Sequence, residues 1–206
     1  MVERQLRRRG IRDERVLEAM AEVPRERFVP WAQRRRAYAD SALPIGSRQT
    51  ISQPWIVAAI CEALELEGDE RVLEVGTGSG YSAAVLAGLA AEVVSIERIE
   101  GLASDARGRL AELGIENAEV IVGDGSVGVP GRPPFEGIAV HATAPRAPGS
   151  LLGQLAAAGR LVIPIAEPGV DTLTVFTRAE NAITERVIGP CRFVPLIGAE
   201  AFPEPG

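Results

Sequence analysis

The spacing of apolar and polar positions predicts helices in the first part of the chain. "VERQLRRR" is typical of a short helix that stops at Gly10. "DERVLEAMAEV" predicts a second helix, because Asp13 suits its N-cap and Pro24 follows its end. Pro54 suits the first turn of a third helix, "PWIVAAICEALEL", with Ser52 or Gln53 as the cap.

The stretch between the second and third helices lacks such spacing. "SALPIGSRQTIS", residues 41–52, contains Pro, Gly, Ser and Thr and predicts a loop. Loops of this length that lead into the core of a domain are often functional. We therefore expect residues 41–52 to contribute to a binding site.

From residue 71 onward, short apolar runs alternate with helical segments. The predicted strands are "RVLEV", "EVVSI", "AEVIV", "GIAVHA" and "GRLVIPI", and the predicted helices span residues 79–90, 100–113 and 148–157. Such alternation indicates a doubly wound α/β fold with a mostly parallel sheet. Three further runs, "TLTVFTR", "AITERVIG" and "CRFVPLI", follow without helices and predict antiparallel strands at one edge. We expect one domain over residues 1–206, with N-terminal helices and a loop in 1–52 and the doubly wound core in 53–206.

Composition and charge narrow the class of protein. The chain has 206 residues, of which 46% are hydrophobic, enough for one domain with a full core. Its net charge of -6 argues against a protein that binds duplex nucleic acid. The start lacks the apolar core of a secretory signal, and no apolar run is long enough to span a membrane. With two cysteines far apart, we expect a reduced, cytoplasmic monomer without a metal site.

The sequence "VLEVGTGSGYSAA" joins a strand to a helix through a glycine turn. Its glycines are Gly76, Gly78 and Gly80, and glycines let a ligand approach the backbone closely. In a doubly wound sheet such a turn lies at the ligand-binding edge. The dinucleotide fingerprint G-x-G-x-x-G would need a third glycine at position 81, where the chain has Tyr81. The turn is therefore a weaker match to NAD than to another nucleoside ligand.

Two acidic residues follow the next strands at the same edge. Glu97 ends the second parallel strand, where a carboxylate can accept hydrogen bonds from ribose hydroxyls. Asp124, in "GDGSVG", follows the third strand and can accept a hydrogen bond from an adenine amino group. NAD sites do not need the second acid. The glycine spacing and both acids together favour S-adenosylmethionine as the cofactor.

With these motifs in place, almost the whole chain resembles the protein-L-isoaspartate O-methyltransferases, a family of repair enzymes. The resemblance rests on "GIRDERVLEAMAEVPRERFVP", "LPIGSRQTISQPWIVA", "VLEVGTGSGYSAAVLA", "VVSIER", "GDGSVGVPGRPPFEGI", "LVIPI" and "RFVPLIG". It implies a Rossmann-like methyltransferase fold in which residues 41–52 form a substrate loop. It also implies methyl transfer from S-adenosylmethionine to the α-carboxyl of L-isoaspartyl residues in proteins and peptides, followed by spontaneous succinimide formation.

The resemblance also implies roles for individual residues. Ser52 matches the family's catalytic serine. The expected substrate-binding residues are Thr50, Ile51, Gln53, His141 and Thr143, and the expected cofactor-binding residues are Glu74, Gly76, Thr77, Gly78, Ser79, Gly80, Glu97, Arg98, Asp124 and Gly125. A carboxylate substrate is already ionised at neutral pH, so the reaction needs alignment and no strong base.

Two departures from the family pattern bear on the substrate. Arg48 stands where the family usually has glycine, and His141 replaces a threonine. Two alternatives to repair stay open. One is esterification of normal aspartate in a dedicated peptide, which the end of the sequence soon after "FVPLIG" disfavours, because such relatives carry a further domain. The other is a module that binds S-adenosylmethionine without catalysis, which the intact "QTIS" disfavours.

Overall fold

A seven-stranded sheet forms the centre of the computed structural model, which describes residues 1–132, 134–180 and 182–204. The strands are β3 (Arg71–Val75), β4 (Glu92–Glu97), β5 (Ala118–Val122), β6 (Phe135–Val140), β7 (Leu155–Ile165), β8 (Asp171–Arg178) and β9 (Ile183–Cys191). Their order in the sheet is β5-β4-β3-β6-β7-β8-β9. The pairs from β5 to β7 are parallel, and β8 and β9 are antiparallel to their neighbours. The predicted doubly wound fold with antiparallel C-terminal strands is confirmed.

The helices fall close to the predicted segments. They are α1 (Glu14–Glu22), α2 (Pro54–Leu64), α3 (Tyr81–Ala87), α4 (Glu100–Glu112) and α5 (Gly149–Gly153). The carboxylate of Asp13 caps α1 by accepting hydrogen bonds from the backbone N–H groups of Arg15 and Val16. The first predicted helix is irregular, with π-helical hydrogen bonds over Val2–Leu6 and a 3-10 turn over Arg7–Arg9, and it ends at Gly10 as expected.

The prediction of a loop over residues 41–52 is wrong. This segment contains the antiparallel hairpin of β1 (Leu43–Gly46) and β2 (Gln49–Ile51). Leu43 and Ile51 face each other across the hairpin and are both buried, which anchors it on the core. Its turn residues, Ser47 and Arg48, have φ of 48° and 57°, the left-handed backbone that two-residue hairpin turns require. Ser-Arg is not the usual sequence for such a turn, so these residue types did not indicate a hairpin.

The C-terminal part differs from the prediction in two places. The helix predicted over 148–157 ends at Gly153, because Leu155 already pairs with Phe135 in the sheet. "CRFVPLI" is not a third antiparallel strand. After β9 the chain turns across the carboxyl ends of the parallel strands. There Pro195 and Thr143 form an isolated parallel β-bridge. We call residues 192–204 the C-terminal strap.

One apolar cluster joins the N-terminal segment to the sheet. Leu6, Leu17 and Met20 belong to the same buried cluster as Val93 and Val162 of the sheet. A shared core of this kind supports the proposal that residues 1–206 form a single domain. Among the described residues, the model contains no helix with the length and apolar character needed to span a membrane.

Candidate active site

A cavity opens at the carboxyl ends of β3, β4 and β6. Here the strand order reverses, because β4 lies on one side of β3 and β6 on the other. Ligands bind at such switch points in doubly wound folds. Among the described residues, the cavity is lined by the glycine turn after β3, the start of α3, the end of β4, β2 and its extension, the segment after β6 and the strap. The lining includes Gly76, Thr77, Gly78, Ser79, Glu97, Arg98, Gly125, Thr50, Ile51, Ser52 and His141.

The glycine turn bends with left-handed backbone angles. Gly76, Gly78 and Gly80 have φ of 93°, 54° and 89°, which L side chains rarely adopt. Gly80 caps the start of α3, and a Cβ placed there would lie 3.1 Å from the Cβ of Ala106 in α4. The turn therefore needs glycine both for its path and for close packing of α4. At Gly76 and Gly78 the wall of the cavity is therefore made of backbone atoms, because glycine has no side chain beyond Cα.

Glu97 lies at the end of β4 with its carboxylate buried beside the glycine turn. One oxygen accepts a hydrogen bond from the Gly78 N–H at 2.9 Å, and the other accepts one from the Ile99 N–H at 3.0 Å. Each carboxylate oxygen has two acceptor positions, so each keeps one for a ligand. This arrangement suits a diol such as ribose.

Asp124 lies apart from the main cavity. It lines a neighbouring shallow pocket with Arg98 and Glu204, and its oxygens accept hydrogen bonds from Ser126 and from the Ala199 N–H of the strap. Burial raises the pKa of Asp124, but these hydrogen bonds outweigh burial and hold the pKa below its ordinary value. Gly125, the next residue, does line the cavity. A contact between Asp124 and adenine stays a prediction.

Glu74 lies beneath the cavity, fully buried in β3. Its Oε2 accepts a hydrogen bond from the Ser95 hydroxyl, which also lies 2.5 Å from the Thr77 hydroxyl. Its Oε1 has no hydrogen-bond partner among the described residues. Burial raises the pKa of Glu74 to about 8, so the carboxyl group resists ionisation.

His141 follows β6 and lies close to Glu74. Its Nε2 is 2.7 Å from the Ser82 hydroxyl and 3.4 Å from Oε1 of Glu74. Burial lowers the pKa of His141 to about 4. Sequence reasoning placed His141 near the substrate. The structure places His141 on the cavity wall, with its imidazole hydrogen-bonded to Ser82 and close to Glu74.

The hairpin and the residue after it supply another part of the cavity lining. Thr50, Ile51 and Ser52 line the cavity, and Gln53 turns away to donate a hydrogen bond to Asp40. The N-cap of α2 is Gln53, without a side-chain capping bond, so the Ser52 hydroxyl does not cap the helix. Of the two predicted caps, Ser52 is excluded, and its hydroxyl is left for another partner.

Two other predicted residues have side-chain partners outside the cavity lining. Thr143 is buried and donates a hydrogen bond from its hydroxyl to Asp171 at 2.7 Å, and it does not line the cavity. Arg98 lines the cavity and also forms an ion pair with Glu204. Within residues 1–132, 134–180 and 182–204 no cluster of His, Cys, Asp and Glu has the geometry of a metal site.

Three residues near the site escaped sequence reasoning. Tyr81 and Ser82 begin α3 and line the cavity, and Arg25 lies buried behind it. Tyr81 stands where the dinucleotide fingerprint has glycine, and its spacing gives no other signal. Arg25 occurs in "VPRERFVP" among many other arginines, and nothing in its local spacing distinguishes a buried guanidinium from an exposed one.

Known proteins resemble the chain over nearly its whole length. The sequence profile of the family described as protein-L-isoaspartate(D-aspartate) O-methyltransferase matches residues 1–201. A protein-L-isoaspartate O-methyltransferase of Methanoregula boonei is 52% identical, over 96% of this chain and 91% of the relative. One of Marinobacter nauticus, designated number 2, is 54% identical, over 98% of this chain and 94% of the relative.

Solved structures agree with the sequence relatives. A structure described as a protein-L-isoaspartate O-methyltransferase superimposes with a TM-score of 0.84 and 29% identity, over 98% of this chain and 67% of the other. A Plasmodium falciparum structure given the same family name, in complex with S-adenosyl-L-homocysteine, has a TM-score of 0.81 and 26% identity, over 95% and 96% of the two chains. With this fold, this cavity and these relatives, the chain belongs to the protein-L-isoaspartate(D-aspartate) O-methyltransferase family.

Proposed function

We propose that this protein transfers the methyl group of S-adenosylmethionine to the α-carboxyl of L-isoaspartyl residues in damaged proteins and peptides. The resulting ester collapses to a succinimide, whose hydrolysis returns some normal aspartate. The observation that carries the proposal is a single cavity bordered by both predicted sets of residues. The glycine turn, Glu97, Thr50 and Ser52 all line it.

The residues present fit the proposed cofactor. The glycine turn leaves backbone exposed to a ligand, and Glu97 keeps one acceptor position on each oxygen for the ribose hydroxyls. S-adenosylmethionine would supply an activated methyl group on a sulfonium. The family and the structure solved with S-adenosyl-L-homocysteine support this choice.

The hairpin residues suit a carboxylate substrate. The hydroxyls of Thr50 and Ser52 can donate hydrogen bonds to an ionised α-carboxyl group and hold it against the cavity wall. That carboxylate needs no general base, which agrees with the low pKa of His141 and its hydrogen bond to Ser82. Fixing both reactants in one orientation can lower the barrier by roughly 7–11 kcal/mol.

We further propose that the protein works as a monomer in the cytoplasm. Cys61 and Cys191 are both free thiols, which supports a reducing compartment. A monomer is consistent with the fact that both sets of site residues come from one chain.

Paired peptides test the activity. The protein is incubated with tritiated S-adenosylmethionine and either an isoaspartyl peptide or its aspartyl isomer, with the same flanking sequence. We expect base-labile label in the isoaspartyl peptide alone. Label in the aspartyl peptide would favour esterification of normal aspartate. Cofactor binding by calorimetry without label in either peptide would indicate a module without catalysis.

A further inference from the structure

Arg25 is a buried cation directly behind the wall of the cavity. It begins a 3-10 turn, Arg25–Phe28, and its side chain has no exposed surface. Nε donates a hydrogen bond to the Ala37 carbonyl, and Nη2 donates one to the Ser52 carbonyl, both at 2.7 Å. The guanidinium carbon lies 4.7 Å from the ring centroid of Tyr81. Both Ser52 and Tyr81 line the cavity.

The charge on Arg25 lacks a counterion. Among the described residues, no carboxylate oxygen lies within 4.0 Å of the guanidinium, and Nη1 is buried without a hydrogen-bond partner. Arginine stays protonated in proteins, and a buried charge is unfavourable unless an opposite charge compensates it. Two carbonyl dipoles and one aromatic ring compensate only part of a full charge. The uncompensated field extends to the adjacent cavity.

The proposed substrate brings the missing charge. The α-carboxyl group of an isoaspartyl residue is an anion at neutral pH and, under the proposed function on which this inference rests, it lies beside Ser52. We propose that Arg25 is a positioning residue that favours the anionic group of the substrate, through its charge and through its hold on the Ser52 carbonyl. The positive charge of Arg25 offsets the negative charge of Glu97, whose carboxylate lines the same cavity and repels an anion. Arg25 itself is absent from the residues that line the cavity, so it acts through Ser52 and through its field.

A purely structural role makes a different prediction. If Arg25 only joined Ala37 to Ser52, its replacement would weaken every ligand of the hairpin by the same factor. If its charge acts on the substrate, replacement weakens an anionic ligand more than a neutral one of the same shape. Two peptides separate these cases. One carries the isoaspartyl α-carboxylate, and the other carries an uncharged α-carboxamide at the same atom.

The experiment measures the affinity of both peptides by calorimetry with S-adenosyl-L-homocysteine present. For the wild type we expect the carboxylate to bind about tenfold more tightly than the carboxamide, a ratio typical of an interaction with a charged group. Arg25→Met should bring this ratio close to one, and Arg25→Lys, which keeps the charge, should retain most of it. Arg27→Met is the matched control, because Arg27 is in the same turn but pairs with Glu112 at the surface. It should leave the ratio unchanged.

The outcomes separate this inference from the proposed function. Equal affinity of the two peptides in the wild type would overturn the role of Arg25, and so would a loss of affinity in Arg25→Met that is the same for both. If Arg25→Met does not fold, the Lys variant decides, because a ratio that collapses despite the retained charge contradicts the proposal. Methylation of isoaspartyl peptide by the wild type is measured in parallel. Its absence would count against the proposed function, whatever the ratio.

Discussion

Ser52 and Glu97 line one cavity but come from different elements, so single substitutions can separate the two proposed ligands. We expect Ser52→Ala to lower kcat/KM for an isoaspartyl peptide about 10- to 100-fold, because a hydrogen bond to a charged group contributes about 1.5–3 kcal/mol. The same variant should leave the affinity for S-adenosylmethionine unchanged. Glu97→Gln should do the reverse and weaken cofactor binding about tenfold or more. Calorimetry gives the affinities, and label transfer gives the rates.

Glu100→Gln serves as the control for this pair of variants. Glu100 starts α4 three residues beyond Glu97, but its side chain is 71% exposed and pairs with Arg107 at the surface. The Glu100→Gln variant should bind cofactor and turn over substrate as the wild type does. Unchanged turnover in Ser52→Ala would remove Ser52 from the mechanism, and unchanged cofactor affinity in Glu97→Gln would reject its ribose contact.

Glu74 and His141 make stability depend on pH. Burial raises the pKa of Glu74 from 4.5 to about 8 and lowers that of His141 from 6.5 to about 4. Between about pH 4 and 8 the folded pair therefore holds one proton, whichever of the two residues carries it. The unfolded pair loses its last proton near pH 6.5. Between pH 6.5 and 8 the folded state holds more protons than the unfolded state, so stability falls as the pH rises.

We expect this pair to lower the free energy of unfolding by about 2 kcal/mol between pH 6.5 and 8, at roughly 1.4 kcal/mol per pH unit. Glu74→Gln removes the carboxyl group that titrates in this window, so its stability should change less over the same range. Urea unfolding at several pH values measures the difference. Glu119→Gln, a surface residue paired with Arg132, should keep the wild-type slope. Parallel slopes for wild type and Glu74→Gln would contradict the assignment.

At the scale of elements, the local pattern predicted the strands of the seven-stranded sheet and failed for the hairpin and the strap, which lie outside it. β3, β4 and β5 are continuous apolar runs between clear turns, and their boundaries match the prediction closely. The glycine turn and Glu97 could be placed at one edge because parallel strands end on the same side of a sheet. The sequence therefore predicted that the glycine turn and Glu97 lie close together at this edge, and their contact with a cofactor stays a prediction.

Elements held by distant contacts could not be predicted in this way. The hairpin of β1 and β2 depends on the burial of Leu43 and Ile51 against the core, which no local period reveals. The strap lies over Asp124 because Gly198 lacks a side chain, since a Cβ there would be 2.0 Å from a carboxylate oxygen of Asp124. The same holds for Arg25, whose partners are the carbonyls of Ala37 and Ser52. Such contacts join residues far apart in the chain, so sequence spacing gives no signal for them.

At the scale of the molecule, charge divides the chain into two parts, whereas packing joins them. Residues 1–48 carry 12 Arg and 7 acidic residues, a net charge of +5, whereas the remainder has 10 Arg and 21 acidic residues, a net charge of -11. The basic part carries Arg25 and most of the hairpin, and the acidic part carries the glycine turn and Glu97. Yet both parts contribute to one apolar cluster. Packing therefore predicts that the two parts unfold together, although they differ in charge.

Both tryptophans lie early in the chain, which makes this cooperativity measurable. Trp55 of α2 packs beneath Arg9, 4.5 Å from its guanidinium carbon, so its fluorescence reports on the contact of the N-terminal segment with α2. Trp31 is 83% exposed, and Trp31→Phe leaves Trp55 as the single probe. Far-UV circular dichroism follows the whole secondary structure. In urea we expect both signals of Trp31→Phe to change in one transition with the same midpoint, as a single domain requires.

A core substitution in the N-terminal segment extends this prediction. Leu17 of α1 is 2% exposed and belongs to the shared cluster, so Leu17→Ala in the Trp31→Phe background should destabilise the protein by about 2–5 kcal/mol. Because the cluster continues into the sheet, fluorescence and circular dichroism should shift to the same lower midpoint. If fluorescence shifted alone, the N-terminal segment would unfold separately from the sheet. Residues 1–52 would then not be part of the same cooperative unit as the core. The hairpin would be able to detach while the glycine turn and Glu97 stayed folded.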